Sequence, residues 1–391
     1  MTREDILKEV LSLKGSNWLL ELPTGFGKSK LAIEKVKQLK AKTLLLVVNR
    51  TVHKQNWEDE FNKWWKDRDV IITMTTYVSL PKYAGKYDAM ICDECHHLSE
   101  RCREALCSFD IKHSVLLSAT VGDKLKDELR EVFDNLTIYK KSLRNAIENN
   151  ILPDPKVFLL PLTLKGDFPT EILWKNPKAK GKIIESSWET RWNYMKQKTN
   201  PVKIYCTQKQ YIFDLDNQIE YWKKRYLRSR SIIAKNKWLR LCSDRLKWLS
   251  DKKVSYVQKL LLYFGEYRTL IFCNSIEQTE MLGEYCINSK NKDSANNLKL
   301  FNEHKIDHIT ACNILNEGMN LVDCQVGIYA NLNSSDTIIK QRTGRLLRHK
   351  NPILVIPYFK GTREEELVHK MLENYNHKLI TATDNYKNIR I

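Results

Sequence analysis

The chain has little of what marks a membrane or secreted protein. No apolar run approaches the roughly 20 residues that a helix needs to cross a bilayer. The charged start at residues 1–5 leads into an amphipathic stretch and not into an apolar signal sequence. The 10 cysteines are scattered over 391 residues without a disulfide framework, so we expect reduced thiols. These absences predict a soluble, cytoplasmic protein with no membrane partner.

Proline and glycine are absent from residues 203–264, a segment too long for an ordinary connection. Apolar residues recur there at helical spacing in two stretches, which predicts two helices folded back as an antiparallel hairpin. The turn is expected within residues 228–236. The two apolar stripes are Ile212, Leu215, Ile219, Trp222 and Tyr226, then Leu239, Cys242, Leu246 and Leu249.

Basic residues exceed acidic ones, 65 to 47, which gives a net charge of +18. This balance favours a polyanionic partner, nucleic acid ahead of a membrane surface. Residues 186–260 hold 18 Lys and Arg against 6 Asp and Glu, a net +12. Both a solvated helical face and a nucleic-acid-contacting arm fit this concentration. We expect most tryptophans of this segment to pack the hairpin: Trp188, Trp192, Trp222, Trp238 and Trp248.

Short apolar runs alternate with helical patterns in two parts of the chain, which predicts an α/β fold with two parallel sheets. Several runs lack alternation, as strands buried on both faces do. The predicted strands are residues 18–22, 43–48, 70–74, 89–92 and 115–118, then 269–273, 308–311, 326–330 and 353–357. Because 391 residues are too many for one core, we expect a first domain in 1–165, a basic helical insertion in 166–265 and a second domain in 266–391.

Residues 22–29 read Leu-Pro-Thr-Gly-Phe-Gly-Lys-Ser, which is similar to a phosphate-binding loop but has Leu at the first position instead of Gly. Glycines permit the dihedrals that turn backbone N–H groups into one concavity, and the following helix adds its positive end. Lys28 is expected to reach the β- and γ-phosphates of ATP, and the Ser29 hydroxyl to ligate Mg²⁺. The remaining predicted cradle residues are Pro23, Thr24, Gly25, Phe26 and Gly27.

An acidic pair, Asp93 and Glu94, follows the apolar run 89–92, at the edge where open parallel sheets bind ligands. Asp93 is expected to hold Mg²⁺, and Glu94 to orient and deprotonate the attacking water. The next predicted strand closes with Ser-Ala-Thr at 118–120. Its hydroxyls are expected to link the γ-phosphate state to the partner domain.

Two arginines, Arg345 and Arg348, lie three apart on a predicted helix, so both can face one side. Guanidinium groups suit the charge that develops on a transferring phosphoryl group. Gln341 lies one turn earlier on that face. Over three hundred residues from the phosphate loop, these side chains predict one nucleotide site built from two halves of the chain. A solvated basic helix end is the alternative.

Cysteines and histidines crowd the acidic motif, at Cys92, Cys95, His96, His97, Cys102 and Cys107. Cys-x-x-Cys beside histidine resembles a zinc or iron–sulfur site. Yet Cys92 and Cys95 flank the carboxylates needed for Mg²⁺, so we favour ordinary thiols near a sheet.

The motifs together resemble those of a superfamily 2 helicase of the DExH type, in that family's order. The resemblance covers about residues 16–160 and 266–360 and implies two RecA-like domains. Motifs I, Ia, II and III correspond to 22–29, 49–57, 93–96 and 118–120, and motifs IV, V and VI to 271–274, 315–321 and 341–348. Residues 47–61 and 143–152 are closest in style to excision-repair helicases, phage recombination helicases and restriction-enzyme motor subunits.

The resemblance assigns a role to several residues. Lys28, Ser29, Asp93, Glu94, Gln341, Arg345 and Arg348 would serve ATP, as would Gly318 and Asn320 of motif V. Arg50, Thr76, Asn274 and Cys312 fall where the family touches the nucleic-acid backbone. Asn320 stands where the branch usually has Asp, and Cys312 where a hydroxyl is common. No Gln-containing adenine-reading motif precedes the phosphate loop.

The resemblance implies ATP and Mg²⁺ as cofactors and DNA, ahead of RNA, as partner. The expected protein is an ATP-dependent helicase or translocase on branched or forked DNA, in the cytoplasm of a bacterial or phage-infected cell. A monomer is compatible with this interpretation. An ATP-dependent RNA helicase is one alternative, and a nucleic-acid clamp or sensor with a vestigial ATPase is another. The intact Lys28, Asp93 and Glu94 argue against the vestigial form.

Overall fold

A computed structural model describes residues 2–166, 170–174, 202–312, 321–332, 342–344, 346–373 and 375–390. Within them the chain forms two parallel sheets and a long helical hairpin. The predicted α/β class with two RecA-like sheets is confirmed. None of the helices in these ranges is long and apolar enough to cross a membrane.

The first sheet has six parallel strands in the order β3-β2-β4-β5-β1-β6. Leu44 and Leu46 pack into the core on one face, and Leu45 and Val47 into the core on the other. Burial of both faces explains why residues 43–48 form a continuous apolar run in the sequence. The strands are β1 (Asn17–Glu21), β2 (Thr43–Val48), β3 (Ile71–Thr76), β4 (Gly85–Cys92), β5 (Phe109–Ser118) and β6 (Thr137–Lys140). The helices are α1 (Arg3–Ser12), α2 (Lys28–Gln38), α3 (Thr51–Trp64), α4 (Glu100–Leu106), α5 (Asp123–Val132) and α6 (Leu143–Glu148).

The division between the sheets differs from the boundary expected at residue 165. Strand β7 (Lys156–Leu162) leaves the first domain and runs parallel to a strand of the second sheet, in register from Lys156 to Leu162. Its run of buried residues, Val157 to Leu160, carries no signal of which sheet it joins. The first sheet therefore ends before residue 156, and its partner begins there.

The hairpin follows β7 and a two-stranded antiparallel sheet, β8 (Thr170–Trp174) and β9 (Val202–Cys206). Helix α7 (Gln208–Ser229) starts from a capping box between Thr207 and Gln210, and α8 (Ile232–Tyr263) from the N-cap Ser231. The turn at 230–231 falls inside the predicted segment, which confirms the hairpin.

The tryptophans and the apolar stripe of α8 test the predicted packing. Trp222 and Trp238 pack between the two helices, and Trp248 packs against the base of the hairpin. Trp188 and Trp192 lie outside the described residues. Leu239 was expected on the packed stripe of α8 but is 48% exposed, and Leu241 is buried instead. The stripe follows Ala234 and Leu241, a seven-residue step that faces a partner helix.

The second sheet has seven parallel strands in the order β11-β12-β10-β13-β14-β7-β15. The strands are β10 (Thr269–Cys273), β11 (Cys286–Ile287), β12 (His308–Cys312), β13 (Val326–Tyr329), β14 (Ile353–Phe359) and β15 (Ile380–Ala382). Helices α9 (Ile276–Leu282), α10 (Ser294–Asn302) and α11 (Arg363–Leu372) accompany them. The C-terminal part of α8 also packs on this sheet through Val257, Leu260 and Phe264. Part of the expected insertion is thus a core element of the second domain.

Candidate nucleotide site

The loop between β1 and α2 has the geometry of a phosphate cradle. Gly25 and Gly27 both have positive φ angles, 85° and 95°, which glycine adopts without steric cost. Helix α2 begins at Lys28, directly after Gly27, and no side chain caps its first turn. Its first N–H groups therefore remain for an anion. Phe26 is 4% exposed and anchors the loop in the core.

Lys28 lies at the centre of this loop. Its Nζ donates a hydrogen bond to the carbonyl of Leu22 at 3.2 Å and lies 3.7 Å from Glu94 Oε1. Both side chains are mostly buried, at 10% and 14% exposure. The predicted phosphate-binding cation and the predicted general base are therefore neighbours, with Ser29 lining the same cleft.

Asp93 and Glu94 follow the carboxyl end of β4. The Asp93 amide donates to Val47 O at 2.9 Å, which continues the sheet to this residue. Glu94 has a left-handed φ of 52°, uncommon for a residue with a side chain and found most often where surrounding structure fixes it. This backbone turn places the two carboxylates beside the phosphate loop.

Trp57 is a site residue that sequence reasoning missed. It lies on α3, is 3% exposed, and its Nε1 donates to Asp93 Oδ2 at 2.9 Å. Burial and repulsion by Glu94 raise the pKa of Asp93 to about 6, and the bond from Trp57 opposes that rise. The indole fixes the orientation of the carboxylate through one oxygen, so Asp93 is a residue that could hold a metal ion.

The acidic motif is also tied to the end of β5. His96 Nδ1 lies 3.1 Å from the Ser118 hydroxyl, which donates to Thr120 O at 3.0 Å. Since His96 Nδ1 also lies 3.5 Å from Glu94 Oε2, one imidazole joins the predicted base to the Ser-Ala-Thr segment. Movement of either Glu94 or the Ser-Ala-Thr segment would therefore displace the imidazole that contacts both.

The cleft contains buried polar atoms suited to a phosphate, a metal ion and its water. Of the described residues that line it, Thr24 Oγ1 is buried without a hydrogen-bond partner, and Glu94 Oε2 has only the His96 ring nitrogen at 3.5 Å. Such atoms normally have a hydrogen-bond partner, from protein or water. A hydroxyl and a carboxylate beside a lysine and a free helix N-terminus fit Mg²⁺ and a nucleotide phosphate.

The opposite wall comes from the second domain. A cleft of about 800 Å³ lies between the phosphate loop and residues 347–350, with Arg348 exposed in it. Gly344 lies directly on the loop, because a methyl group there would come 2.5 Å from Thr24 Cβ. Gln341, Arg345, Gly318 and Asn320 lie outside the described residues.

Arg342 and Arg3 are further arginines that the sequence left unassigned. Arg342 is 2% exposed and donates to Asn331 O at 3.2 Å and to Cys273 O at 3.4 Å, so it holds the Gly344 segment to β10. Arg3 lines the cleft and donates to Ile151 O at 3.2 Å. Arg342 is buried and Arg348 is exposed, and no sequence pattern distinguishes the two arginines.

The cysteines near the acidic motif belong to an apolar cluster. Cys92, Cys95 and Cys102 are buried among Leu, Val and Tyr side chains on one face of the first sheet. Burial raises the pKa of Cys92 and of Cys95, which opposes the thiolate form that metals bind. In the ranges that the structure covers, no three His, Cys, Asp or Glu side chains converge as metal ligands.

Comparisons with known proteins support this architecture. Residues 252–350 match the family model of the helicase conserved C-terminal domain. The chain is 21% identical over 385 residues to the DNA 3'-5' translocase XPB2 of Sulfurisphaera tokodaii, covering 92% of this chain and 82% of that protein. These matches support the resemblance to superfamily 2 helicases.

Solved helicases show the same fold. The Hef helicase domain of Pyrococcus furiosus aligns with a TM-score of 0.53 at 12% identity, covering 94% of this chain and 97% of Hef. Dbp5 of S. cerevisiae, bound to RNA and ADP BeF3, aligns with a TM-score of 0.59 at 10% identity, covering 97% of this chain and 88% of Dbp5. The helicase fold is thus shared, while side-chain roles have to come from this chain.

The four residues of this chain expected to touch nucleic acid differ in accessibility. Arg50 is exposed at the N-cap of α3, and Thr76 and Asn274 are partly exposed. Cys312 is 4% exposed and packs into the second core, beside its register partner Cys273. Its small thiol is buried in this conformation, and its contact with nucleic acid stays a prediction.

Proposed function

We propose that the protein is a motor that hydrolyses ATP to move along DNA, as a translocase or helicase. One observation carries this proposal: a single cleft has the phosphate loop on one domain and Arg348 on the other. A nucleotide held between two domains converts its hydrolysis into relative motion, since the γ-phosphate contacts of both walls change when it leaves.

The residues divide the work by chemistry. Lys28 would leave Leu22 O and Glu94 for the β- and γ-phosphates, and the N–H groups at the start of α2 would hold phosphate oxygens. Ser29 and Asp93 would hold Mg²⁺, which neutralises charge on the transferring group. Glu94, freed from Lys28, would accept the proton of the attacking water. Arg348, with Arg345, would meet the charge of the transition state.

DNA is the proposed track because the relative XPB2 is named a DNA 3'-5' translocase. The net charge of +18 suits phosphate contacts that are independent of sequence and steeply salt-dependent. Branched or forked DNA, as met in repair, recombination or replication, is the substrate that we propose. An RNA track has its own support in the fold shared with RNA-bound Dbp5.

The test is the rate of ATP hydrolysis without nucleic acid and with single-stranded DNA, duplex DNA, forked DNA or RNA. A DNA motor would be stimulated at least about tenfold by DNA and less by RNA. Stimulation by RNA alone would assign the protein to RNA. Nucleic-acid binding without stimulation by any of the four would contradict the motor and favour a clamp or sensor.

A further inference from the structure

The far end of the α7–α8 hairpin is strongly basic. We call residues 221–240 the tip. The tip contains no Asp or Glu, and its basic residues are Lys223, Lys224, Arg225, Arg228, Arg230, Lys235, Lys237 and Arg240. So many like charges at the end of a projecting element repel one another unless an anion lies between them. This charge predicts a polyanionic partner at the tip.

The tip also exposes apolar side chains at its turn. Ile232 and Ile233, the first residues of α8, are 73% and 77% exposed, and Leu227 is 51% exposed. Single exposed apolar residues are ordinary, but three gathered at one turn mark a contact surface. The tip therefore combines an apolar end with the eight basic residues named above, which we call the collar.

Aromatic and cation–π contacts hold the two helices of the tip together. Tyr226 of α7 stacks on Trp238 of α8 with ring centroids 5.9 Å apart, and Arg230 lies over Tyr226 at 5.9 Å. Arg225 covers the Trp222 ring at 5.2 Å. Since a helix rises about 1.5 Å per residue, α7 with its 22 residues carries the tip roughly 33 Å from the base. An element of this kind can press on a partner without folding back.

The base of the hairpin is fixed in the second domain. Lys253 of α8 pairs with Glu364 at 2.5 Å, with both side chains fully buried, and donates to Pro357 O at 3.2 Å. Gln278 donates to Ser250 O of α8 at 3.0 Å. Breaking a buried pair of this kind is costly, so α8 moves with the second domain as one body.

We propose that the tip is a wedge that binds the junction between single-stranded and duplex DNA. Ile232 and Ile233 insert at the terminal base pair and open it, and the collar binds the phosphates of the parting strands. Apolar side chains open base steps in this way, and lysine and arginine hold a backbone of any sequence. Negative charge beside a flat apolar face exists at a fork and not in a continuous duplex. The wedge deepens the proposed function, because movement of the second domain would drive it forward.

The first test measures binding without ATP, so it does not depend on the motor. A fork carrying 2-aminopurine in its terminal pair brightens when that base unstacks. The wild-type protein should brighten it and bind the fork at least about tenfold more tightly than a duplex whose two ends are closed by hairpin loops. The I232S/I233S double variant should lose most of both effects. L262S is the matched control, because Leu262 lies on the same helix and is 84% exposed.

The second test separates the wedge from the motor. With ATP, I232S/I233S should unwind forks about tenfold more slowly, while hydrolysis with single-stranded DNA stays at the wild-type rate. Wild-type brightening and unwinding in I232S/I233S would overturn the wedge and leave the motor standing. If I232S/I233S no longer pellets with anionic vesicles but binds forks as the wild type does, the tip binds a membrane surface instead. A dimer that I232S/I233S dissociates, again with fork binding unchanged, would assign it to a second copy.

Discussion

The two walls of the nucleotide cleft are built differently. The first domain presents side chains that already hold one another: Lys28 lies 3.7 Å from Glu94, and Trp57 bonds Asp93 at 2.9 Å. The second domain approaches with a glycine, Gly344, and an exposed arginine, Arg348. The side chains of the first wall are organised before a nucleotide binds. The second wall can approach the first closely and separate from it again.

This difference separates chemistry from motion. A preorganised wall fixes where phosphate, metal ion and water would sit, which is where electrostatic catalysis originates. A wall that makes contact through a glycine backbone can close tightly and reopen without disturbing buried side chains. Variants of the first wall should therefore change turnover or metal binding, and variants of the second should change closure.

Among variants of the first wall, the largest effect is expected from Glu94→Gln. The amide keeps the shape of the side chain but cannot accept a proton. A general base contributes roughly 10²- to 10⁴-fold in rate. ATP turnover with DNA should fall about 10³-fold while ATP binding stays within about threefold. Steady-state hydrolysis and equilibrium binding of a fluorescent ATP analogue measure the two. Unchanged turnover would remove Glu94 from its proposed role.

Gly344→Ala should have the next largest effect, on the second wall. The added methyl group would lie 2.5 Å from Thr24 Cβ and 2.9 Å from Thr24 O, so the walls must separate. A displacement near 1 Å can cost about 10²-fold in rate. Turnover should fall by about that factor with folding unchanged by circular dichroism. Gly122→Ala is the control, since a methyl group there meets nothing within 4 Å, and an equal loss in both variants would contradict the closure argument.

Trp57→Phe should have the smallest effect and act through Mg²⁺. Phenylalanine keeps the buried ring but loses the N–H that orients Asp93, and such supporting bonds are worth about 10- to 100-fold in metal affinity. The Mg²⁺ concentration for half-maximal nucleotide binding should rise about tenfold. Trp64→Phe is a matched control on the same helix, because its Nε1 donates to Glu60 at 2.9 Å. Equal Mg²⁺ requirements in the wild type and Trp57→Phe would contradict the proposal that Trp57 orients Asp93.

The sequence predicted the elements better than their meeting points. Local patterns were sufficient for nine strands, the hairpin turn and the phosphate loop, because each depends on neighbouring residues, but β6, β7, β8, β9, β11 and β15 were not predicted. The bond from Trp57 to Asp93 spans 36 positions, and the contact of Gly344 with Thr24 joins two domains. No periodic pattern in the sequence predicts either contact. The expected first domain, residues 1–165, included β7, which pairs with the second sheet, because a buried strand has the same composition in either sheet. The burial of Cys312 was not predicted, because an inward and an outward strand residue differ only by one step in register.

The measurement that tests the two-walled site most directly is ATP turnover by Arg348→Ala with saturating single-stranded DNA. An arginine that meets the transition state from the opposite wall is worth at least about 10³-fold in rate. We predict a loss of that size, with the affinity for ATP within about threefold of the wild type. Arg130→Ala, an exposed arginine on α5, should turn over at the wild-type rate. Turnover by Arg348→Ala equal to that of Arg130→Ala would contradict a nucleotide site shared between the two domains.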